Sequence, residues 1–106
     1  MIRTIQLTDA KAIRDISEFS LGYKTTEAVT ERQIAKLISD NQHFIRVYED
    51  DETHTVVGFI HAEAYELLYK EPGFNILGLA LLSEYQHKGI GKQLVQALEA
   101  EAAARN

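Results

Sequence analysis

The first part of the chain shows the spacing of a strand and then that of a helix. Residues 3–7 alternate polar and apolar side chains, which is typical of a short strand. Thr8 and Asp9 follow with oxygens suited to capping a helix start. The next apolar residues lie three or four positions apart and share one helix face: Ala12, Ile13, Ile16 and Phe19. We expect this helix to end at Gly22.

A second helix is predicted from a capping pattern. Residues 30–33 read Thr-Glu-Arg-Gln, a hydroxyl followed three residues later by an amide, which is the form of a capping box. Ile34, Leu37 and Ile38 continue at helical spacing. We expect the helix to start at Thr30 and to end near Asp40.

Three strands are predicted after residue 43. The segments 44–48 and 55–69 are rich in β-branched and aromatic residues, and the third segment is 74–82. The acidic run 49–52 predicts a solvated turn between the first two, and residues 71–73, Glu-Pro-Gly, predict a second turn. The last segment is almost continuously apolar, which is typical of a strand covered on both faces.

The segment after the last strand carries the clearest chemical signal. Gly89 and Gly91 lie between this strand and a helix whose apolar residues Ile90, Leu94 and Leu98 recur every four positions. The N–H groups of a first helical turn have no intrahelical partner, and glycines let an anion approach them closely. The spacing matches neither a nucleotide P-loop nor a dinucleotide fingerprint. It predicts a site for a phosphate-bearing ligand.

The segment 79–94, LALLSEYQHKGIGKQL, resembles the acetyl-CoA signature of the GNAT N-acetyltransferase superfamily. The order of predicted elements resembles that family as well. The resemblance implies an α/β fold of order β-α-α-β-β-β-α, with a mostly antiparallel sheet flanked by helices. It implies one domain, residues 1–106, and acetyl-CoA as co-substrate.

By the same resemblance, ten residues bind the cofactor. The strand backbone pairs with the pantetheine arm, and the loop N–H groups surround the pyrophosphate. The positions are Leu79, Ala80, Leu81, Gln86, His87, Lys88, Gly89, Ile90, Gly91 and Lys92. The Leu81 N–H is the expected donor to the acetyl carbonyl.

The general base is the less defined part of the predicted site. Some relatives place a glutamate where this chain has Asn75, and an amide does not accept a proton at neutral pH. His61, Glu63 and Tyr65 share one parity on the preceding strand, and Glu63 is the candidate base. The alternative is that these three form a polar strand face. His43 is expected at the surface.

Three further expectations concern the remaining polar residues. His54 is expected at the surface, like His43. Tyr23 either borders the acceptor pocket or packs in the ordinary way. No metal site is expected, since no second ligand stands at regular spacing.

Two function classes follow from these residues. The first is an N-acetyltransferase that moves an acetyl group from acetyl-CoA to a primary amine of a small molecule or peptide. The alternative is an acyl-CoA-binding or structural module without turnover, which the position of Asn75 favours.

The C-terminal end adds one expectation. The family fold continues past this helix with another strand, a helix and a hairpin, so we expect the domain to be truncated before the final strands. Either the chain is a fragment, or a second chain completes the sheet, for example in a homodimer. An apolar strand edge would otherwise be an association site.

Composition and apolar runs argue against several other classes of protein. The net charge of −5 disfavours a nucleic-acid partner, and a count of 0 cysteines excludes a disulfide scaffold. No apolar run approaches the roughly 18 residues that span a membrane, and the N-terminus lacks a signal-peptide core. We expect a cytoplasmic protein.

Overall fold

A four-stranded antiparallel sheet organises residues 1–105, the part of the chain that this computed structural model describes. The strands lie in chain order, and each pairs with the next. This confirms the predicted fold class and element order. The bounds are β1 Ile2–Thr4, α1 Ala10–Ile16, α2 Glu27–Leu37, β2 His43–Glu49, β3 Val56–Leu67, β4 Lys70–Leu81 and α3 Ile90–Arg105.

Each face of the sheet has its own apolar cluster. The face that α1 and α2 cover includes Ile16, Ile34 and Phe59. The opposite face packs against α3 through Ile60 and the helix residues Ile90, Leu94 and Leu98. Successive strand residues point to opposite faces, so β3 serves both clusters. The predicted apolar face of α3 is thereby confirmed.

Helix α2 begins three residues before the predicted start. Thr26 has extended backbone angles, and its Oγ1 accepts a hydrogen bond of 3.1 Å from the N–H of Val29, so Thr26 is the N-cap. Thr30 lies one turn inside the helix and donates its hydroxyl to the Thr26 carbonyl oxygen over 3.1 Å. The capping pattern at 30–33 was misleading because Thr26 supplies the same chemistry one turn earlier.

Phe19 lies outside the core, contrary to its predicted place on the first helix face. After Ile16 the chain forms a π-helical turn, Ser17–Leu21, which ends at Gly22 with a φ of 76°. The wider turn rotates the following side chains away from the α1 face. Phe19 is therefore 74% exposed, whereas Gly22 ends the segment as predicted.

The turn between β3 and β4 lies earlier than predicted. The chain reverses at Leu68–Tyr69, and residues 71–73 belong to β4. Pro72 is tolerated there because β4 has no strand on its outer side within residues 1–105.

The outer edge of β4 is open along its apolar stretch. Ile76, Leu77 and Leu79 are each more than a third exposed. The register with β3 shifts between His61 and Ala62, which leaves Leu77 as an extra residue, a β-bulge. The expectation that this strand is covered on both faces holds at Ala80 and Leu81, which pack in the two clusters, but fails at these three residues within residues 1–105. That a further strand or a second chain covers the edge stays a prediction.

Candidate functional site

The loop between β4 and α3 holds two residues in the left-handed region. Ser83–Tyr85 form a short 3₁₀ turn, and then His87 and Gly89 adopt φ values of 62° and 83°. Alternation of left-handed and ordinary residues turns successive N–H groups toward one side and forms an anion-binding concavity. The positive φ of His87 was not foreseen, because side-chain type indicates such a conformation reliably only for glycine.

The start of α3 leaves backbone donors free. Gln93 is the first residue whose N–H bonds back into the helix start, to the Gly89 carbonyl oxygen over 3.1 Å. Among residues 1–105, the N–H groups of Ile90, Gly91 and Lys92 have no hydrogen-bond partner. The helix dipole adds partial positive charge at this point, so these donors favour an anion.

The two glycines serve this loop for different reasons. A Cβ on Gly89 would meet nothing within 4 Å, so glycine is favoured at residue 89 by the positive φ and not by lack of space. Gly91 has helical angles, and a Cβ there lies 3.7 Å from Leu81 Cδ1, an ordinary contact. A side chain at residue 91 would therefore be compatible with the fold but would occupy the concavity, which is the space that a phosphate group needs.

The edge of β4 next to the loop offers backbone groups to a ligand. Leu82 donates its N–H to the Val57 carbonyl oxygen over 2.9 Å, so Leu82 and Val57 form a hydrogen-bonded pair of the ladder. The next hydrogen-bonded pair, two residues away on each strand, is Phe59 with Ala80. By the alternation of an antiparallel ladder, Leu79 and Leu81 direct their backbone groups outward. Gln86 Nε2 already donates to the outward Leu81 carbonyl oxygen over 3.1 Å.

Edge and loop meet in one open cavity of about 410 Å³. Its walls are Ser20, Leu79, Ala80, Leu81, Gln86, His87, Gly89, Gly91 and Lys92. All of these except Ser20 were predicted from the sequence. Ser20 was missed because only the tertiary fold brings the π-helical turn against β4.

Three of the predicted residues contribute differently from the rest. Ala80 turns its backbone groups toward β3 and lines the cavity with its surface only. The Ile90 side chain is buried in the core, which leaves its N–H for a ligand. Lys88 places its ammonium 5.5 Å from the centre of the Tyr85 ring, outside the cavity wall.

A histidine pair lies on the sheet face that α1 and α2 cover. His43 Nδ1 and His61 Nε2 are 2.8 Å apart, and His43 Nε2 lies 3.4 Å from Glu63 Oε2. The His43 side chain is only 13% exposed, so its predicted surface position is wrong. His43 faces Glu63 in the β2–β3 register. The sequence alone does not specify which residues of two strands lie opposite each other, so this contact could not be predicted.

Burial changes the protonation of His61. Desolvation lowers the pKa of His61 below its ordinary value, and the neighbouring His43 lowers it further, while Glu63 acts in the opposite direction. The neutral ring is therefore favoured at neutral pH. Glu63 itself is half exposed.

The remaining candidates lie apart from this pair. Asn75 faces Glu63 across the β3–β4 ladder. The Tyr65 ring lies over Gly73, where a Cβ would come within 2.9 Å of its hydroxyl oxygen. Tyr23 and the imidazole of His54 are largely exposed.

The acidic run forms a turn, as predicted. Asp50 Oδ1 accepts hydrogen bonds from the N–H groups of Glu52 and Thr53 over 2.8 and 3.0 Å. The Thr53 N–H is the main reason that the pKa of Asp50 falls to about 2. Within residues 1–105, no three His, Asp or Glu side chains are arranged to hold a metal ion. In the same range, no helix has the length and apolar character to cross a bilayer.

Comparisons with known proteins give a consistent result. The family model described as "Acetyltransferase (GNAT) family" matches residues 10–106. The chain is 31% identical over 99 residues to an uncharacterized N-acetyltransferase of Chlorobaculum tepidum, a match that covers 93% of the chain and 57% of that protein. The chain therefore spans little more than half the length of this curated relative.

Solved structures share the fold at low identity. A GNAT family acetyltransferase of Staphylococcus aureus superposes with a TM-score of 0.81 at 20% identity, over 100% of this chain and 79% of that one. An aminoglycoside 6′-N-acetyltransferase of Acinetobacter baumannii gives 0.83 at 21% identity, over 98% and 71%. A glucosamine-6-phosphate N-acetyltransferase of Arabidopsis thaliana gives 0.80 at 18%, over 99% and 75%.

Proposed function

The chain belongs to the GNAT acetyltransferase family, and from this premise we propose that it binds acetyl-CoA between β4 and α3 and transfers the acetyl group to a primary amine. The observation that carries the proposal is the cavity of about 410 Å³ that joins the open β4 edge to the glycine-bearing helix start. When bound, acetyl-CoA supplies an activated acetyl thioester.

The loop is suited to the pyrophosphate of the co-substrate. The free N–H groups at the start of α3 and the left-handed residues His87 and Gly89 present donors to one concavity. Lys92 is exposed beside them and adds positive charge. The residues present therefore fit a phosphate-bearing ligand.

The β4 edge is suited to the amide-bearing arm of the same molecule. Leu79 and Leu81 direct backbone groups outward, as a strand does toward a partner strand. We assign the Leu81 N–H the role of donor to the acetyl carbonyl, where it would stabilise the charge that develops on oxygen.

An amine acceptor is supported by the chemistry of the relatives. Two structural neighbours are named for an aminoglycoside and for glucosamine-6-phosphate, both of which carry amino groups. Removal of a proton from such an amine needs a base, and we propose that the Glu63 carboxylate takes part in it. The proposed co-substrate supports a cytoplasmic location.

Calorimetry of CoA binding tests the site. Gly91→Val adds a side chain whose Cβ makes only an ordinary contact and whose methyl groups compete for the concavity, so we expect CoA affinity to fall at least tenfold, about 1.4 kcal/mol. Ala103→Val is the matched control, because it places the same β-branched residue at an exposed position of the same helix. The control should bind CoA as the wild type does.

Two results would contradict the proposal at different levels. Unchanged CoA affinity in a folded Gly91→Val variant would disprove the loop assignment. Normal CoA binding without release of thiol from acetyl-CoA, with a panel of polyamines, amino sugars and peptides, would instead support the binding module without turnover.

A further inference from the structure

The histidine pair on the sheet face has a geometry that the binding of acetyl-CoA does not use. It consists of His61 on β3, His43 on β2 and the Glu63 carboxylate, and we call it the His43–His61–Glu63 group. Given the proposed acetyl transfer, on which this inference rests, we propose that His61 takes the proton from the acceptor amine and that His43 and Glu63 position it.

The contacts favour one placement of the ring protons. A carboxylate 3.4 Å away favours N–H on His43 Nε2, which leaves Nδ1 of that ring as an acceptor. Across 2.8 Å that acceptor takes the proton of His61 Nε2. The lone pair of His61 then lies on Nδ1. Among residues 1–105 this nitrogen has no hydrogen-bond partner, and it is not fully enclosed.

The place of His61 in the sheet brings it beside β4, next to the part of that strand that lines the co-substrate cavity. It faces Gly78 in the β3–β4 register. Gly78 follows the bulge at Leu77 and precedes Leu79, which lines the co-substrate cavity. A Cβ on Gly78 would lie 3.5 Å from Phe59 and 3.9 Å from Leu21, so residue 78 faces the side of the sheet that bears His61. His61 and the co-substrate cavity therefore border neighbouring residues of β4, namely Gly78 and Leu79.

A second cavity in front of His61 gives room for the acceptor. It measures about 210 Å³ and lies between α2 and the sheet. On the α2 side its walls are uncharged, namely Thr30, Gln33, Ile34 and Leu37. The titratable groups that act on His61 are thus His43 from β2 and Glu63 from β3. An uncharged surrounding keeps the ring neutral and able to accept a proton.

The proton balance of the step is complete. His61 Nδ1 takes one proton from the ammonium form of the amine, and the electron pair thus freed on nitrogen forms the C–N bond to the acetyl carbon. The C–S bond breaks with its electron pair on sulfur. The second proton that the nitrogen loses neutralises the thiolate, and His61 returns its proton to water, so one proton is released overall.

Turnover against pH distinguishes this role from that of a carboxylate base. A primary alkylamine keeps its proton between about pH 5 and 8, so the acceptor itself does not titrate in that range. We expect kcat/KM to rise through an apparent pKa below that of free histidine. Glu63→Gln removes a negative charge that raises this pKa, so the rise should move to lower pH and persist. If Glu63 were itself the base, the rise would disappear in that variant.

Two histidine variants complete the test, one at His61 and a control at His54. His61→Asn should lower kcat about a hundredfold and leave CoA affinity unchanged. His54→Asn changes an exposed histidine on the β2–β3 turn and should leave kcat unchanged. A His61→Asn variant with full turnover would overturn the assignment.

A readout without turnover separates this inference from the proposed function. Nitrogen NMR of the labelled histidine rings should find His61 neutral at pH 7 with its proton on Nε2. A proton on Nδ1, or a charged ring, would overturn the role of His61 even in an active enzyme. A chain that binds CoA but acetylates no amine would contradict the proposed function instead.

Discussion

At the scale of single residues, the Arg3 guanidinium binds two carboxylates at once, those of Asp9 and Glu49. Its terminal nitrogens each lie 2.9 Å from one oxygen of Asp9, and its Nε lies 2.9 Å from Glu49 Oε1. Asp9 is only 5% exposed, and these contacts raise the pKa of Arg3 above its ordinary value. Arg3 thereby joins β1 to the start of α1 and to the end of β2.

Removal of Arg3 should be costly because it leaves a buried carboxylate without its partner. We expect Arg3→Leu to lower the free energy of unfolding by about 3 kcal/mol, measured by urea denaturation. The control is Lys11→Leu, which breaks an exposed ion pair with Asp15 and should cost less than about 1 kcal/mol. Equal losses in the two variants would show that burial of Asp9 does not matter.

At the scale of elements, α2 shows how one hydroxyl sets a helix start. The Thr26 side chain satisfies the N–H of Val29, one of the donors left free at the helix N-terminus. The preceding Thr25 takes part only through its carbonyl oxygen, which accepts from Arg14 Nε over 3.2 Å. The two neighbouring threonines therefore differ in role although their side chains are identical.

This difference gives a matched pair of variants. Thr26→Ala should lower the free energy of unfolding by about 1 kcal/mol, since a helix donor loses its partner. Thr25→Ala keeps its backbone contact and should change stability by less than half as much. Thermal unfolding followed by circular dichroism would measure both, and a larger loss for Thr25→Ala would show that the cap is wrongly assigned.

The same elements show where sequence reasoning succeeds and where it stops. The glycine-bearing loop and the face of α3 were predictable because their chemistry is local: two glycines, a helix start and apolar residues every four positions. The contact between His43 and His61 was not, since it depends on strand register. Phe19 was misplaced because a π-helical turn leaves no periodic signal.

At the scale of the whole molecule, β4 connects the core to the candidate site. Leu81 packs in the cluster beneath α3, pairs with Gly58 of β3 and lines the co-substrate cavity. A Cβ on Gly58 would overlap Leu81 Cδ2. The absence of a side chain at residue 58 is thus a condition for the position of Leu81, and the site depends on the packing of the sheet.

Gly58→Ala should therefore affect stability and binding together. We expect a loss of about 1–3 kcal/mol in the free energy of unfolding, with weaker CoA binding as Leu81 is displaced. Gly78→Ala is the control for stability, because its Cβ would make an ordinary contact of 3.5 Å with Phe59. Full CoA affinity in a destabilised Gly58→Ala variant would mean that the site tolerates movement of Leu81.

The alternation of backbone groups along β4 has a consequence for the exchange of amide hydrogens with deuterium. Ala80 and Leu82 direct their N–H groups into the sheet, whereas Leu79 and Leu81 direct theirs to the open edge. Four successive amides should thus exchange in the order fast, slow, fast, slow, because only the bonded ones wait for an opening of the structure. A ligand that pairs with the edge would slow the two fast amides and remove the alternation. The exchange rates of the Leu79 and Leu81 amides would therefore report, residue by residue, whether a ligand is bound along this strand.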